Sequence, residues 1–281
     1  MKVFLIGMEE HVMRDLAAAL QAQGHTVTGS HEANTNLTGQ IDQVIAGRQV
    51  KPDYPALRAA QQQGLPICSY AEFIYTYARD KQRIVITGQE KHLTCLLVLY
   101  VLNRLQKPFD YVVNTPTPAV SVQLSDAPVI ILEGDELPSS PIAPEPQSLY
   151  YQHHILLLGT MAWEANKAYP TLEAYRQYIT RLADASPKSG TLIYGEEDKA
   201  VQTIASAPRA DVQTVTYGPH PHRQENGQVY LITPQGDVPF SAADPASMRA
   251  VAAAHQLVKQ LAITDRQFYE ALANFHTDHL T

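Results

Sequence analysis

Short apolar runs that end in glycine, each followed by a helical pattern, constrain the fold of this chain most strongly. The run KVFLIG ends at Gly7 before VMRDLAAALQAQG, and the run RIVITG ends at Gly88 before LTCLLVLYVLNRLQ. These runs are apolar throughout rather than alternating, which is typical of strands that are covered on both faces. Strands that alternate with helices in this way predict parallel sheets in an α/β fold.

The strand and helix pattern runs through the chain in two series. A chain of 281 residues exceeds the usual size of one domain, about 100–200 residues, so two domains are expected. The first series predicts a parallel-sheet domain over residues 1–81, and the second predicts a larger α/β domain over residues 82–281. In the second, GQVYLITPQGDVPF alternates polar and apolar residues around a glycine turn, which predicts an appended antiparallel hairpin.

Three further segments carry specific expectations. The helix through LTCLLVLYVLNRLQ is apolar on most sides and should be deeply packed. The segment from Leu137 to Gln147 contains four prolines, which predicts a surface loop without regular structure. Thr264 begins the segment TDRQFYEALANF and is the expected N-cap of a last helix.

Composition excludes several classes of partner. The chain has 21 Lys and Arg against 28 Asp and Glu and no basic stripe, so nucleic acid is not an expected partner. Its two cysteines, Cys68 and Cys95, lie in apolar runs and are expected to be reduced thiols. The N-terminus does not resemble a signal peptide, and the longest apolar run is too short for a bilayer. These features predict a soluble, cytoplasmic protein without a membrane contact.

A family resemblance emerges at the expected ligand edge. Open parallel sheets bind ligands at the carboxyl ends of their strands, here after Gly7, Gly88 and Glu133. The chain offers, in order, LIGMEEHVMRDLAAALQAQGHTVTGSHE, RIVITGQEKHLT, VIILEGDE and TLIYGEEDKAVQTI. The order and spacing of these blocks resemble the Mur ligases over nearly the whole chain, in particular the branch that includes UDP-N-acetylmuramate-L-alanine ligase.

The resemblance implies both a fold and a chemistry. Residues 1–81 would be a Rossmann-like domain of the UDP-sugar-binding type, and residues 82–281 a P-loop-type, ATPase-like central domain. The family's C-terminal domain is expected to be absent. Family members use ATP and Mg²⁺ to form an acyl phosphate on a muramoyl carboxylate, which an amine then attacks. The implied small-molecule partner is therefore a UDP-muramoyl compound.

The family's phosphate turn is altered in this chain. It reads G-T-H-G-K-T in the family, whereas here Gly88 is followed by QEKHLT. Lys91 stands at the inner glycine, His92 at the lysine and a leucine at the metal-binding hydroxyl. A side chain at the inner glycine restricts the backbone N–H groups that face phosphate, and Glu90 adds a negative charge, so both changes oppose ATP binding. Lys91 and Thr94 remain as substitute cation and hydroxyl. The candidate nucleotide-binding residues are Gly88, Lys91, His92 and Thr94, and an ordinary solvated turn is the alternative.

The family's metal and adenine blocks are altered as well. LEGDE matches the family's E-A-D-E, which places Glu133 at the magnesium-binding glutamate. In GTMAWEANKAYP, Glu164 and Ala165 stand at the family's Asp-His pair. The H-N-x-x-N block becomes PASMRA, which ends with Arg249 and Ala250. The candidate metal ligands are Glu133 and Glu164, and exposed acids at a strand end are the alternative for Glu133.

The turn of the sugar domain is also changed. The family's G-I-G-G becomes Gly7-Met8-Glu9-Glu10, and its G-S-D becomes GSH, which ends at His31. An acidic pair at a helix N-terminus suits the helix dipole but repels a pyrophosphate. The candidate substrate-binding residues, retained or substituted in place, are Gly7, Met8, Ser30 and His31.

These changes predict a Mur-ligase-related protein of cell-wall metabolism that is catalytically impaired and keeps a binding or regulatory role. No residue is assigned a catalytic role, and a second copy or another Mur ligase is the candidate macromolecular partner. The alternative is an active ATP-dependent amide ligase with altered ATP contacts or a third domain supplied by a partner. A dinucleotide-binding oxidoreductase is a further alternative, although only Gly7 of the G-x-G-x-x-G pattern is present.

Overall fold

The computed structural model describes residues 1–30, 37, 39–114, 120–161, 163–205 and 209–275. The first part of the chain alternates strands and helices, in the order β1 (Lys2–Ile6), α1 (His11–Ala22), β2 (Thr26–Ser30), β3 (Gln43–Ala46), α2 (Pro55–Gln62), β4 (Ile67–Ser69) and α3 (Tyr70–Tyr77). The four strands form a parallel sheet in the order β2-β1-β3-β4. This confirms the predicted first parallel sheet.

Both faces of this sheet are covered, because successive side chains of a strand point to opposite faces. Val3 and Leu5 of β1 pack in one core with residues of α1 and α3. Phe4 and Ile6 pack in another core with residues of α2. β1 is therefore apolar from Val3 to Ile6 because both of its faces are buried there, as expected for a strand in a parallel sheet that is covered on both sides.

The second part of the chain is larger and contains a sheet of seven strands. Its elements are β5 (Gln82–Thr87), α4 (Lys91–Arg104), β6 (Asp110–Val112), β7 (Val122–Gln123), β8 (Val129–Glu133), β9 (Pro138–Ser140), β10 (Ala143–Pro146), α5 (Gln147–Tyr150), β11 (Ile155–Leu158), α6 (Leu172–Asp184), β12 (Thr191–Gly195), α7 (Lys199–Ala205), β13 (Gln213–Tyr217), β14 (His222–Glu225), β15 (Gln228–Leu231), β16 (Val238–Phe240), α8 (Pro245–Lys259) and α9 (Asp265–Leu272). The central sheet has the order β13-β12-β11-β5-β8-β6-β7, and only β7 is antiparallel to its neighbour.

The central sheet is also covered on both faces. Ile84 and Ile86 of β5 face a core with α4, α8 and α9, whereas Val85 faces a core with α6. Helix α4 is buried along most of its length, as its apolar sequence predicts. Thr264 accepts a hydrogen bond from the backbone N–H of Gln267 in a capping box, which confirms it as the N-cap of α9.

The prediction for the proline-rich segment is wrong. Residues 138–140 and 143–146 form the antiparallel strands β9 and β10, and Ser139 and Ser140 are buried. The ladder pairs Ala143 with Ser140 and Pro146 with Pro138, with an irregularity between them. Proline is tolerated here because, within the described ranges, no third strand joins this two-stranded ribbon and needs the missing N–H groups.

The predicted hairpin is present as β15 and β16, and it forms a separate antiparallel sheet with β14. Strand β14 was not predicted, because all four of its residues are exposed and give no alternation of apolar and polar side chains. Cys68 and Cys95 are free thiols, and burial raises the pKa of both. Among the described residues, no helix combines the length and the apolarity needed to cross a bilayer.

Candidate functional site

The glycine turns after β1 and β5 have the same construction. Gly7 and Gly88 have φ angles of +98° and +97°, a region that side chains disfavour. The neighbouring strand is followed directly by a glycine whose N–H donates to the carbonyl of the last residue of the first strand. In the first sheet Gly47 donates to Ile6, and in the central sheet Gly159 donates to Thr87, both at 2.9 Å.

Gly88 is required by backbone packing. A Cβ atom at Gly88 would lie 2.6 Å from the Cα of Gly159, which is closer than two such atoms approach in proteins. The turn therefore keeps its shape for a reason internal to the fold. Its glycine alone is no evidence of a ligand.

The carboxylate of Glu90 is folded into this second turn. Glu90 is 7% exposed and is the N-cap residue of α4, but its side chain does not cap that helix. Its Oε2 accepts from the N–H of Thr160 at 3.2 Å, and its Oε1 accepts from the Thr160 hydroxyl at 3.1 Å. Arg249 on α8 donates from Nε to Oε1 at 2.6 Å. Arg249 ends the PASMR stretch that replaces the polar residues of the adenine block, and no local pattern in the sequence predicts its contact with Glu90.

His92 and Glu133 lie together at the other side of the turn. His92 Nδ1 is 2.9 Å from Glu133 Oε1, and Glu133 Oε2 accepts from the N–H of Asn114 at 3.0 Å. Although the first distance is that of a hydrogen bond, Oε1 accepts no well-aligned hydrogen bond in the part of the chain that the structure describes, so the contact is an ion pair when His92 is protonated. This contact with Glu133 raises the pKa of His92 against the opposing effect of burial.

Lys91 is also engaged by the protein. Its Nζ donates to the Gly134 carbonyl at 3.1 Å and lies 3.7 Å from Oε2 of Glu136. Thr94 is buried within the first turns of α4. All three candidate nucleotide-binding side chains, those of Lys91, His92 and Thr94, thus contact acidic residues or carbonyls or are packed in the fold.

The second candidate metal ligand is placed differently. Glu164 is exposed, and its carbonyl oxygen accepts from Asn166 Nδ2 at 3.1 Å. No group of three or more His, Cys, Asp or Glu side chains arranged to hold a metal occurs within the described ranges. With Glu133 paired to His92 and Glu90 in the turn, the residues present do not fit a magnesium–phosphate group.

The first turn holds a carboxylate as well. Glu10, which is 8% exposed, accepts at Oε1 from the N–H of Gln49 at 2.8 Å. A Cβ atom at Gly47 would lie 2.5 Å from this Oε1, and one at Gly7 would lie 3.0 Å from it. Burial raises the pKa of Glu10. The carboxylate therefore fills the space that the two glycines leave.

The other candidate substrate-binding side chains belong to the turn after β1 and to the end of β2. Met8 donates its N–H to the Ser30 carbonyl at 3.3 Å, and Ser30 is buried. The Ser30 hydroxyl has no hydrogen-bond partner among the described residues. His31 lies outside those residues.

The ligand edges of the two sheets are joined by an ion pair. Arg48, which follows β3, donates to Asp135, which follows β8, at 2.5 Å. A cleft of about 890 Å³ opens beside Arg48, between the β9–β10 ribbon and α6. Tyr169, Tyr178 and Arg181 are among the residues that line it. Its size is that of a small-molecule site.

Two parallel sheets with glycine turns, joined at their ligand edges, define the fold class in which other α/β proteins bind nucleotides. A search against protein-family models finds no match. A UDP-N-acetylmuramate–L-alanine ligase of Arthrobacter sp. (strain FB24) is 25% identical over 277 residues, which cover 94% of this chain and 56% of the relative. The chain thus spans about half the length of that relative.

Solved structures give the same assignment of fold. The UDP-N-acetylmuramate:L-alanyl-gamma-D-glutamyl-meso-diaminopimelate ligase from Neisseria meningitides superposes with a TM-score of 0.82 at 14% identity, over 98% of each chain. The UDP-N-acetylmuramate-alanine ligase of Thermotoga maritima gives 0.74 at 14% identity, over 98% of this chain and 68% of that one. The chain thus has the fold of the Mur ligases and is similar in sequence to one branch of them over most of its length.

Proposed function

We propose that the chain is a binding module of peptidoglycan metabolism that does not carry out ATP-dependent ligation. In this proposal residues 1–81 correspond to the sugar-nucleotide-binding unit of a Mur ligase and residues 82–281 to its ATPase-like unit. The similarity to UDP-N-acetylmuramate–L-alanine ligase over most of the chain supports the link to the cell wall. The ligand class that follows is a muramoyl sugar derivative, and the protein would act in the cytoplasm.

The ion pair between His92 and Glu133 carries the proposal. By family resemblance, His92 stands where a lysine would contact phosphate and Glu133 stands where a carboxylate would hold Mg²⁺. A phosphoryl-transfer site needs both groups directed at the nucleotide. Here the two side chains contact each other at 2.9 Å, so a bound nucleotide would have to separate them before either could act.

The cation that could substitute for the missing lysine is similarly held. Lys91 is 14% exposed and directed at Gly134 and Glu136. Electrostatic stabilisation of a transition state depends on donors that are already oriented toward the developing charge. Donors that face carboxylates of their own chain do not meet this requirement.

The test is phosphate release in a mixture of ATP, Mg²⁺, UDP-N-acetylmuramate and L-alanine. We expect the wild-type chain and the Glu133→Gln variant to release phosphate at the same background rate. Release by the wild type that depends on UDP-N-acetylmuramate and is lost in Glu133→Gln would establish the alternative, an active amide ligase. Calorimetric titration with N-acetylmuramate tests the binding role, and we expect saturable binding that L-alanine does not compete away.

A further inference from the structure

The two glycine turns share a further feature, a buried glutamate at the start of the following helix. In each, a glutamate at the N-cap of the following helix turns its carboxylate away from that helix and toward the loop after the neighbouring strand. We infer that Glu10 and Glu90 occupy the positions in which a phosphate would receive backbone N–H groups, and that they exclude nucleotide phosphates from both turns. This inference rests on the proposed binding role, because it states which ligands the binding module does not accept.

The correspondence between the turns is detailed. Gln49 lies two residues after Gly47, and Thr160 lies one residue after Gly159. Their N–H groups donate to the carboxylates of Glu10 and Glu90 at 2.8 Å and 3.2 Å. In each sheet, therefore, a backbone N–H of the loop after the neighbouring strand donates to the glutamate, with the donor one residue further along in the first sheet.

Glycines create the space that each carboxylate fills. In the first turn, Cβ atoms at Gly7 or Gly47 would meet Glu10 Oε1 at 3.0 or 2.5 Å. In the second, a Cβ at Gly159 would meet Glu90 Oε2 at 3.2 Å. Glycine in such turns allows an anion to reach the backbone. In this chain the anion that does so is a side chain.

The two carboxylates exclude phosphate by occupancy and by charge. Both are buried, Glu10 to 8% and Glu90 to 7% exposure, and a second anion beside a buried carboxylate is strongly disfavoured. Arg249 also donates to Glu90, so a cation that could bind phosphate is already paired. Removal of either carboxylate should therefore open its own turn and leave the other closed.

Isothermal titration calorimetry with ADP and with UDP tests this on the full chain. We expect no saturable binding of either nucleotide to the wild type at micromolar concentrations. Glu90→Ala should bind ADP at least about ten-fold more tightly than the wild type does, while its response to UDP stays unchanged. Glu10→Ala should gain affinity for UDP by a similar factor and stay unchanged toward ADP.

Two control variants remove a nearby negative charge but leave Glu10 and Glu90 in their turns, so they distinguish occupation of the turns from an effect of net charge. Glu9→Ala removes the same charge next to Glu10, and Glu197→Ala removes an exposed carboxylate 3.8 Å from Arg249 Nη1. Neither should gain nucleotide affinity. The gain in ADP affinity of Glu90→Ala should be smaller in the double variant with Arg249→Met. The guanidinium that Glu90 holds in the wild type would then be absent and could not bind phosphate.

Three results would overturn the inference. One is binding of ADP or UDP by the wild type at micromolar concentrations, a result that does not depend on whether any variant folds. Another is that Glu10→Ala and Glu90→Ala are folded but bind UDP and ADP, respectively, no more tightly than the wild type does. The third is an equal gain in Glu9→Ala or Glu197→Ala. Turnover in the ligase assay would instead refute the proposed function, so the two failures are distinguishable.

Discussion

Loss of the Arg249 guanidinium should destabilise the protein because it leaves a buried carboxylate without its counter-ion. Arg249 Nε lies 2.6 Å from Glu90 Oε1, and the side chains of Arg249 and Glu90 are 21% and 5% exposed. The contact joins α8 to the turn before α4, two segments 159 residues apart in the chain. Arg249→Met keeps much of the aliphatic stem and removes only the charge and the donors.

The size of the effect follows from burial. Removal of one partner of a fully buried ion pair costs about 3–5 kcal/mol. Arg249 is partly exposed, and Glu90 keeps two hydrogen bonds from Thr160, so we expect about 2 kcal/mol for Arg249→Met. The double variant Glu90→Gln and Arg249→Met should lose about 1 kcal/mol, because no uncompensated charge remains.

Urea denaturation at neutral pH, followed by far-UV circular dichroism, measures these free energies of unfolding. Arg266→Met is the matched control, since Arg266 pairs with Glu270 at 2.7 Å and is 77% exposed. Exposed pairs of this kind contribute less than about 0.5 kcal/mol. If Arg249→Met costs no more than Arg266→Met, then Glu90 is not a fixed, buried anion and the reasoning on the second turn fails.

Three other predictions concern pH and backbone strain. The pKa of His92, measured by NMR, should lie above 6.5 and fall in Glu133→Gln; the stabilisation by this pair is present below that pH and is lost as pH rises through the raised pKa. His153 has a pKa lowered by burial to about 4, so stability should fall by about 3 kcal/mol as pH drops from 6.5 to 4, and denaturation curves of His153→Asn should lack this slope. Gly88→Ala should cost at least about 2 kcal/mol, because of its φ of +97° and the approach to Gly159, and an unchanged urea midpoint would contradict this.

Much of the fold could be predicted from local sequence pattern. The apolar strands, the helices between them and the positions of Gly7 and Gly88 follow from periodicity and turn chemistry, which act between residues close in the chain. The proline-rich segment shows the limit of such reasoning. Proline content argues against strands in general. Among the described strands, however, β9 and β10 pair only with each other, and the sequence does not reveal how many neighbours a strand has.

The candidate site also has features that the sequence determined and features that only the tertiary structure decided. By itself the sequence determined that acidic residues follow Gly7 and Gly88 and that the residues around His92 depart from the family pattern. Only the tertiary structure decided where those acids point, since Glu10 meets the N–H of Gln49 and Glu90 meets Arg249. A carboxylate beside a phosphate turn can face solvent or enter the turn, and the choice depends on donors brought there by distant segments. For that reason the occupation of both turns was decided by the fold, although the residues responsible were visible in the chain.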